Sequence, residues 1–229
     1  MGTRLVVDQR NQLRELNEQP GYLRTVAQVL SYVFHPVFVP VYILAFLIYV
    51  HPSIFAGASP WQKKITLLQG MLMYGFFPIV SVLLLKALKF VNSIHLNSQR
   101  DRIVPYIICN IWYFWIMYVW RNLPDIPREA VTLAAAIFLA SIFGLMANIF
   151  TKVSMHAIAA GVAIGFFGIL GLTQPGHMGR YLSISVLLAG LVCTSRLIVS
   201  DHSSRELYLG LIGGIGCQVV AGLARGVMY

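Results

Sequence analysis

Apolar residues fill seven long stretches of the chain, roughly 27–50, 65–90, 103–120, 129–150, 157–173, 180–199 and 207–225, and polar residues collect in the short gaps between them. A helix that crosses a bilayer needs about 20 apolar residues, so most of the stretches have the required length, and the third and fifth are the short ones. The runs are too long for strands and do not alternate with period two. The pattern therefore predicts an all-α polytopic membrane helical bundle of six or seven transmembrane helices. Pro36 and Pro40 are expected to kink the first of them. Residues 1–25 differ: Arg4, Asp8, Arg10, Arg14, Glu15, Glu18 and Arg24 are scattered among Leu and Val. They are expected to form an amphipathic N-terminal surface segment, a short helix or a tail lying on the membrane, with residues 26–229 as one transmembrane domain.

The gaps fall into two sets. Segments 51–64, 121–128 and 174–179 hold turn residues such as His51-Pro52, Leu123-Pro124-Asp125 and Gln174-Pro175-Gly176. Segments 91–102, 151–156 and 200–206 hold Arg100, Asp101, Arg102, Lys152, Ser154, His156, His202, Arg205 and Glu206, with Ser195 and Arg196 just before the last. Two apolar stretches separate each polar cluster from the next. If all seven cross, parity puts all three clusters on one side of the membrane, as a composite site requires. His202 and Glu206 are four apart, so on a helix the carboxylate can orient the ring. Arg196 is out of phase with them, and a break between Ser200 and Ser203 would bring the three together.

Composition agrees with a membrane protein. The 229 residues are 58% hydrophobic and 11% charged, against about 25% charged in an ordinary soluble domain, and mean hydropathy is +0.73. The net charge of +9 would suggest nucleic acid in a soluble protein. Here it reflects contacts with lipid headgroups together with an anion site, and no nucleic-acid partner is expected. Cys109, Cys193 and Cys217 lie in apolar segments and read as small buried hydrophobes. No secretory signal peptide is visible, and Gly2 lacks the Ser or Thr that N-myristoylation prefers. Of the basic residues, eleven fall on the cluster side and six on the other. Removing the five site residues among the eleven leaves an even balance, so the positive-inside rule gives no orientation.

Together the clusters resemble the type 2 phosphatidic acid phosphatase superfamily, whose pattern is KxxxxxxRP, then PSGH, then SRxxxxxHxxxD. The third motif matches at Ser195, Arg196 and His202 with the correct spacing, and Glu206 stands in for Asp. The second is Lys152-Val153-Ser154-Met155-His156, which keeps Ser and His and loses Pro and Gly. The first is Arg100-Asp101-Arg102-Ile103-Val104-Pro105, with His95 where the family has Lys. The resemblance implies that His202 is the nucleophile, that Glu206 holds its ring, and that His156 is the general acid and later the base. It implies that Arg102, Lys152 and Arg196 clamp the phosphate, with Ser154 adding a hydrogen bond and Arg100 and Ser195 beside them. No metal and no cofactor are implied.

The resemblance further implies the outer face of a bacterial inner membrane. A seven-span count with a cytoplasmic N-terminus would put the site inside. The expected activity is metal-independent removal of phosphate from a lipid phosphate or diphosphate. Phosphatidic acid, phosphatidylglycerol phosphate, undecaprenyl diphosphate and a lipid A phosphate all remain open, as does oligomeric state. A phosphotransferase using the same phosphohistidine and a non-catalytic lipid-phosphate binder or carrier are the alternatives. Arg205, His35, His51 and His177 read as headgroup, loop or interface residues. The aromatic run 111–120 reads as core and interfacial belt, or as an acyl-chain entrance. Gly161/Gly165 and Gly210/Gly214 are spaced for close helix packing.

Overall fold

The computed structural model describes residues 3–7, 13–17, 20–90, 99–174, 178–199 and 202–224, with the backbone alone for 3–7, 13–17 and 99–102. Two strands, β1 (Thr3–Val7) and β2 (Leu13–Asn17), pair antiparallel with Thr3 opposite Asn17 and Val7 opposite Leu13. The start of the chain is therefore a hairpin and not the short helix expected. Leu5-Val6-Val7 favours extended backbone, and the turn formers Asp8 and Asn11 lie between the strands.

Among the described residues after Pro20, the regular elements are all helices. The elements are α1 (Gly21–Val33), α2 (Val39–Tyr49), α3 (Pro60–Gly70), a π-helical stretch (Met71–Phe76), α4 (Phe77–Ala87), α5 (Gln99–Arg121), α6 (Arg128–Phe150), α7 (Met155–Thr173), α8 (Gly179–Val199) and α9 (Ser204–Leu223). The first apolar stretch is broken, not kinked. The residue before a proline is pushed out of the helical region, and α1 stops at Val33, two residues before His35-Pro36. Pro40 then sits in the first turn of α2, where its missing N–H costs nothing. Six described helical units are long and apolar enough to cross a membrane: Pro60–Ala87, Ile103–Arg121, Arg128–Phe150, Met155–Thr173, Gly179–Val199 and Ser204–Leu223. With 11 residues, α2 rises only about 16 Å, half of a hydrocarbon core of about 30 Å.

Pro78 explains the π-helical stretch. Proline has no N–H for the residue four before it, and the wider turn just upstream absorbs the mismatch. The centre of the bundle is α6, where Ala130, Val131, Leu133, Ala134 and Ala136 are fully buried. Helix α5 splits its aromatic run by face. Tyr113, Ile116 and Trp120 are buried, whereas Ile111, Trp115 and Tyr118 are exposed. The Trp120 and Trp112 indoles donate to Gln69 Oε1 (2.9 Å) and Ser81 Oγ (3.1 Å), which fastens α5 to α3 and α4.

The closest helix pair is α7 with α9, and its seam is made of glycines. A Cβ on Gly161 would collide with the Leu211 carbonyl, and one on Gly214 with the Ile158 carbonyl. One on Gly210 would lie 2.9 Å from the Ser154 carbonyl, and one on Gly165 would lie 2.9 Å from Gln218 Cβ. Backbone therefore lies against backbone along this seam.

Gly161→Ala and Gly214→Ala are each expected to lower stability by about 1–3 kcal/mol through overpacking. Gly216→Ala on the same helix meets nothing within 4 Å and should be neutral or slightly stabilising. Thermal unfolding in detergent checks this, and equal melting temperatures for the three variants would contradict the backbone-contact seam.

Candidate functional site

Helix α9 starts with a capping box. Ser203 is the N-cap: its hydroxyl accepts from the Glu206 N–H (3.4 Å), and Glu206 Oε2 accepts from the Ser203 N–H (3.2 Å). The same carboxylate oxygen lies 2.9 Å from His202 Nδ1, and both side chains are about 95% buried, with 5% exposure each. One oxygen thus caps the helix and fixes an imidazole. Nδ1 is committed to the carboxylate as a donor, and the lone pair belongs to Nε2. The local sequence accounts for Glu where the family pattern has Asp. Ser203-Ser204-Arg205-Glu206 has the S-x-x-E spacing of a capping box, and Glu reaches both the N-cap and the ring.

The second cluster sits at the start of α7. Ser154 is the N-cap, is wholly buried, and its Oγ has no hydrogen-bond partner among the described residues. Lys152 is half-buried just before it. His156 is 8% exposed, and its Nε2 donates to the Ser31 carbonyl near the end of α1 at 3.0 Å. The ring nitrogen left to meet a ligand is therefore Nδ1. The α7–α9 seam brings this cluster to the third one, because Gly210 is one turn past Glu206 and abuts the Ser154 backbone.

Arg196, in the last turn of α8, completes the group. Both it and His202 are within electrostatic reach of the His156 ring. Ser195 plays a different part from the one expected. Its hydroxyl donates to the Leu191 carbonyl one turn back (2.8 Å), so its proton is spent within the helix. Arg100 and Arg102 lie in the first turn of α5, and their side chains are outside the described residues. Their backbone is at the same end of the bundle, since Tyr106, one turn on from Arg102, packs where a Cβ on Gly144 would be, one to two turns before α6 ends. His95 and His177 are outside the described residues. The seven-span condition is not met, because α2 is short, but the two ends of α2 still lie at opposite ends of the bundle. His35, before α2, meets the site, and His51, after α2, is within electrostatic reach of Glu129 at the opposite end of α6.

His35 is the site residue that sequence reasoning missed. Its ring stands edge-on to His156 at 5.3 Å between centroids, and its Nδ1 accepts from the Val37 N–H (3.4 Å). Burial, and then the Arg196 guanidinium, hold its pKa below the ordinary histidine range, so His35 is neutral at pH 7. The available signal was its place immediately before Pro36, where the chain must leave the helix and fold back.

No family model, no curated protein and no solved structure matches this chain. The resemblance to the phosphatase superfamily therefore rests on the motif residues alone.

The double duty of Glu206 has a measurable signature. Ser203→Ala is expected to cost about 1 kcal/mol through the lost cap. Glu206→Gln keeps a capping oxygen and should stay within about 0.5 kcal/mol. Glu206→Ala should exceed Ser203→Ala, because it also strands His202 in a buried site. Denaturation midpoints give the order, and a Glu206→Ala variant no weaker than Ser203→Ala would remove the link to His202.

Proposed function

We propose that this protein is a membrane-embedded lipid phosphatase. It removes phosphate from a lipid phosphate or diphosphate through a phosphohistidine, without a metal. The observation that carries the reading is the buried His202–Glu206 pair at 2.9 Å, an imidazole–carboxylate pair of the kind that activates nucleophiles. His202 Nε2 attacks phosphorus, forming a P–N bond while the bond from phosphorus to the lipid oxygen breaks. The leaving oxygen takes a proton that comes from the phosphate's own P–OH: His156 Nδ1, which holds the lone pair because Nε2 donates to Ser31, accepts it and passes it on. Water then attacks the phosphohistidine, and His156 accepts its proton as the P–N bond breaks and inorganic phosphate leaves.

The surroundings fit an anion. Arg196, the half-buried Lys152, the unpartnered Ser154 hydroxyl and the free N–H groups at the start of α7 all offer positive charge or donors. The motif resemblance adds Arg100 and Arg102, which belong to the first turn of α5. We assign the pocket to the periplasmic face of a bacterial inner membrane, where the lipid tail stays in the bilayer.

The second reading is a lipid-phosphate binder or carrier. It is favoured by the bond from His156 Nε2 to Ser31, which would also suit a purely structural histidine. The two readings part on mutation.

Phosphate release from phosphatidic acid, phosphatidylglycerol phosphate or undecaprenyl diphosphate should fall more than about 10³-fold in His202→Ala. It should fall about 10²–10³-fold in Arg196→Ala and about 10²–10⁴-fold in Glu206→Gln, which stays folded. Vanadate should inhibit and EDTA should not. No release from any of these substrates, with phospholipid binding intact in wild type and His202→Ala, would establish the binder.

Orientation is checked separately. A cysteine at exposed Ser204 should label with an impermeant maleimide in intact cells, and one at Gly57, beyond α2, only after permeabilisation. The reverse pattern would put the pocket inside.

A further inference from the structure

A groove of about 220 Å³ runs down from His156 between α2, α7 and α8. One face of α7 makes its floor: His156, Ala160, Ala163 and Phe167 are spaced so that they share a side. Small side chains at 160 and 163 leave the space open. From His156 to Phe167 the helix rises about 16 Å. The walls are mostly apolar, and Tyr42, Tyr181 and Ser185 are the lining residues that carry a hydroxyl. The far end is closed by three rings. Phe46 stands edge-on to Phe167 at 5.0 Å and to Tyr181 at 4.7 Å. Both α7 and α8 qualify as membrane spans, so the groove lies in the hydrocarbon layer. None of the residues 111–120 lines it.

The geometry points to this groove as the binding site for one hydrocarbon chain of an anionic lipid, with the head group at His156 and Arg196 and the chain end against Phe46, Phe167 and Tyr181. The head-group half of the inference rests on the lipid-phosphate reading above. Three features select this occupant. The head end is cationic and suits an anion, since Arg196 is within electrostatic reach of His156. Below it, apolar walls in a bilayer suit only another apolar group. The aromatic stop gives the groove a length, so it sorts chains by how far they reach. A second chain on the same lipid has no counterpart in the groove and stays in the bilayer.

The experiment uses the whole protein in nanodiscs of zwitterionic lipid. Binding of straight-chain alkyl phosphates from octyl to octadecyl is measured against a hexadecyl phosphate carrying a terminal diazirine. The groove predicts that competition against the lipid-dissolved probe strengthens with chain length, by less than the about fourfold per methylene of transfer from water, and levels off once the chain reaches the rings. Light should attach the probe to peptides bearing Phe46, Phe167 or Tyr181. Ala163→Leu should weaken the long chains at least about tenfold and leave vanadate binding unchanged. Wild type alone is also decisive if that variant misfolds. An affinity that rises with no plateau, with label spread to the outer faces at Ile212 and Leu223, would mean simple partitioning into lipid and would overturn the groove. Label in the groove without phosphate release from any lipid phosphate would keep the chain site and remove the phosphatase. Phosphate release without label in the groove would do the reverse.

Discussion

The close approach of α7 and α9 is the constraint on which the rest of the site depends. Both helices begin at the same end of the bundle, and each carries a histidine there, His156 in the first turn of α7 and His202 just before α9. Glycines at 161, 165, 210 and 214 remove the side chains that would hold the axes apart, and carbonyls fill the space where Cβ atoms would stand. In lipid, apolar burial gives helices little reason to choose one partner over another. Packing at close range decides the choice. The seam is thus the means by which two motifs about fifty residues apart come within electrostatic reach of each other.

Local structure at the pocket is economical. A capping box is a common way to start a helix, and Glu206 would be explained by that alone. Its Oε2 also holds the buried His202 ring, so helix stability and side-chain orientation share one atom. His156 is held in a comparable way from outside its own helix, by the Ser31 carbonyl of α1. The break at His35-Pro36 then folds α2 back beside α7 and sets His35 against His156. Helix α1 thus holds His156 through Ser31, while α2 forms one side of the apolar groove below it.

The pocket and the groove also divide the chemistry of an amphiphile between them. Charge and hydrogen-bond donors gather where helices begin or end, because helix termini there expose N–H groups and loops can carry long cationic side chains. Apolar and small residues line the space one turn deeper. The boundary between the two falls at His156, which borders both.

Much of the architecture is set by the sequence itself. Apolar run length marked the six stretches that are long helices and left open whether all seven would cross. The spacing of the glycines anticipated the α7–α9 seam, and the four-residue step from His202 to Glu206 anticipated their contact. The shared side of the clusters followed from counting. Other features were decided only in three dimensions. The N-terminal hairpin depends on pairing between strands, which no single stretch records. Two prolines in one apolar run mark a bend but do not say whether it is a kink or two helices. The commitment of the Ser195 hydroxyl to Leu191 and of His156 Nε2 to Ser31, the recruitment of His35, and the groove closed by Phe46, Phe167 and Tyr181 all arise from contacts between elements far apart in the chain. A sequence states which groups are present and how they recur. Only packing determines which lone pairs are already spent and which spaces stay open.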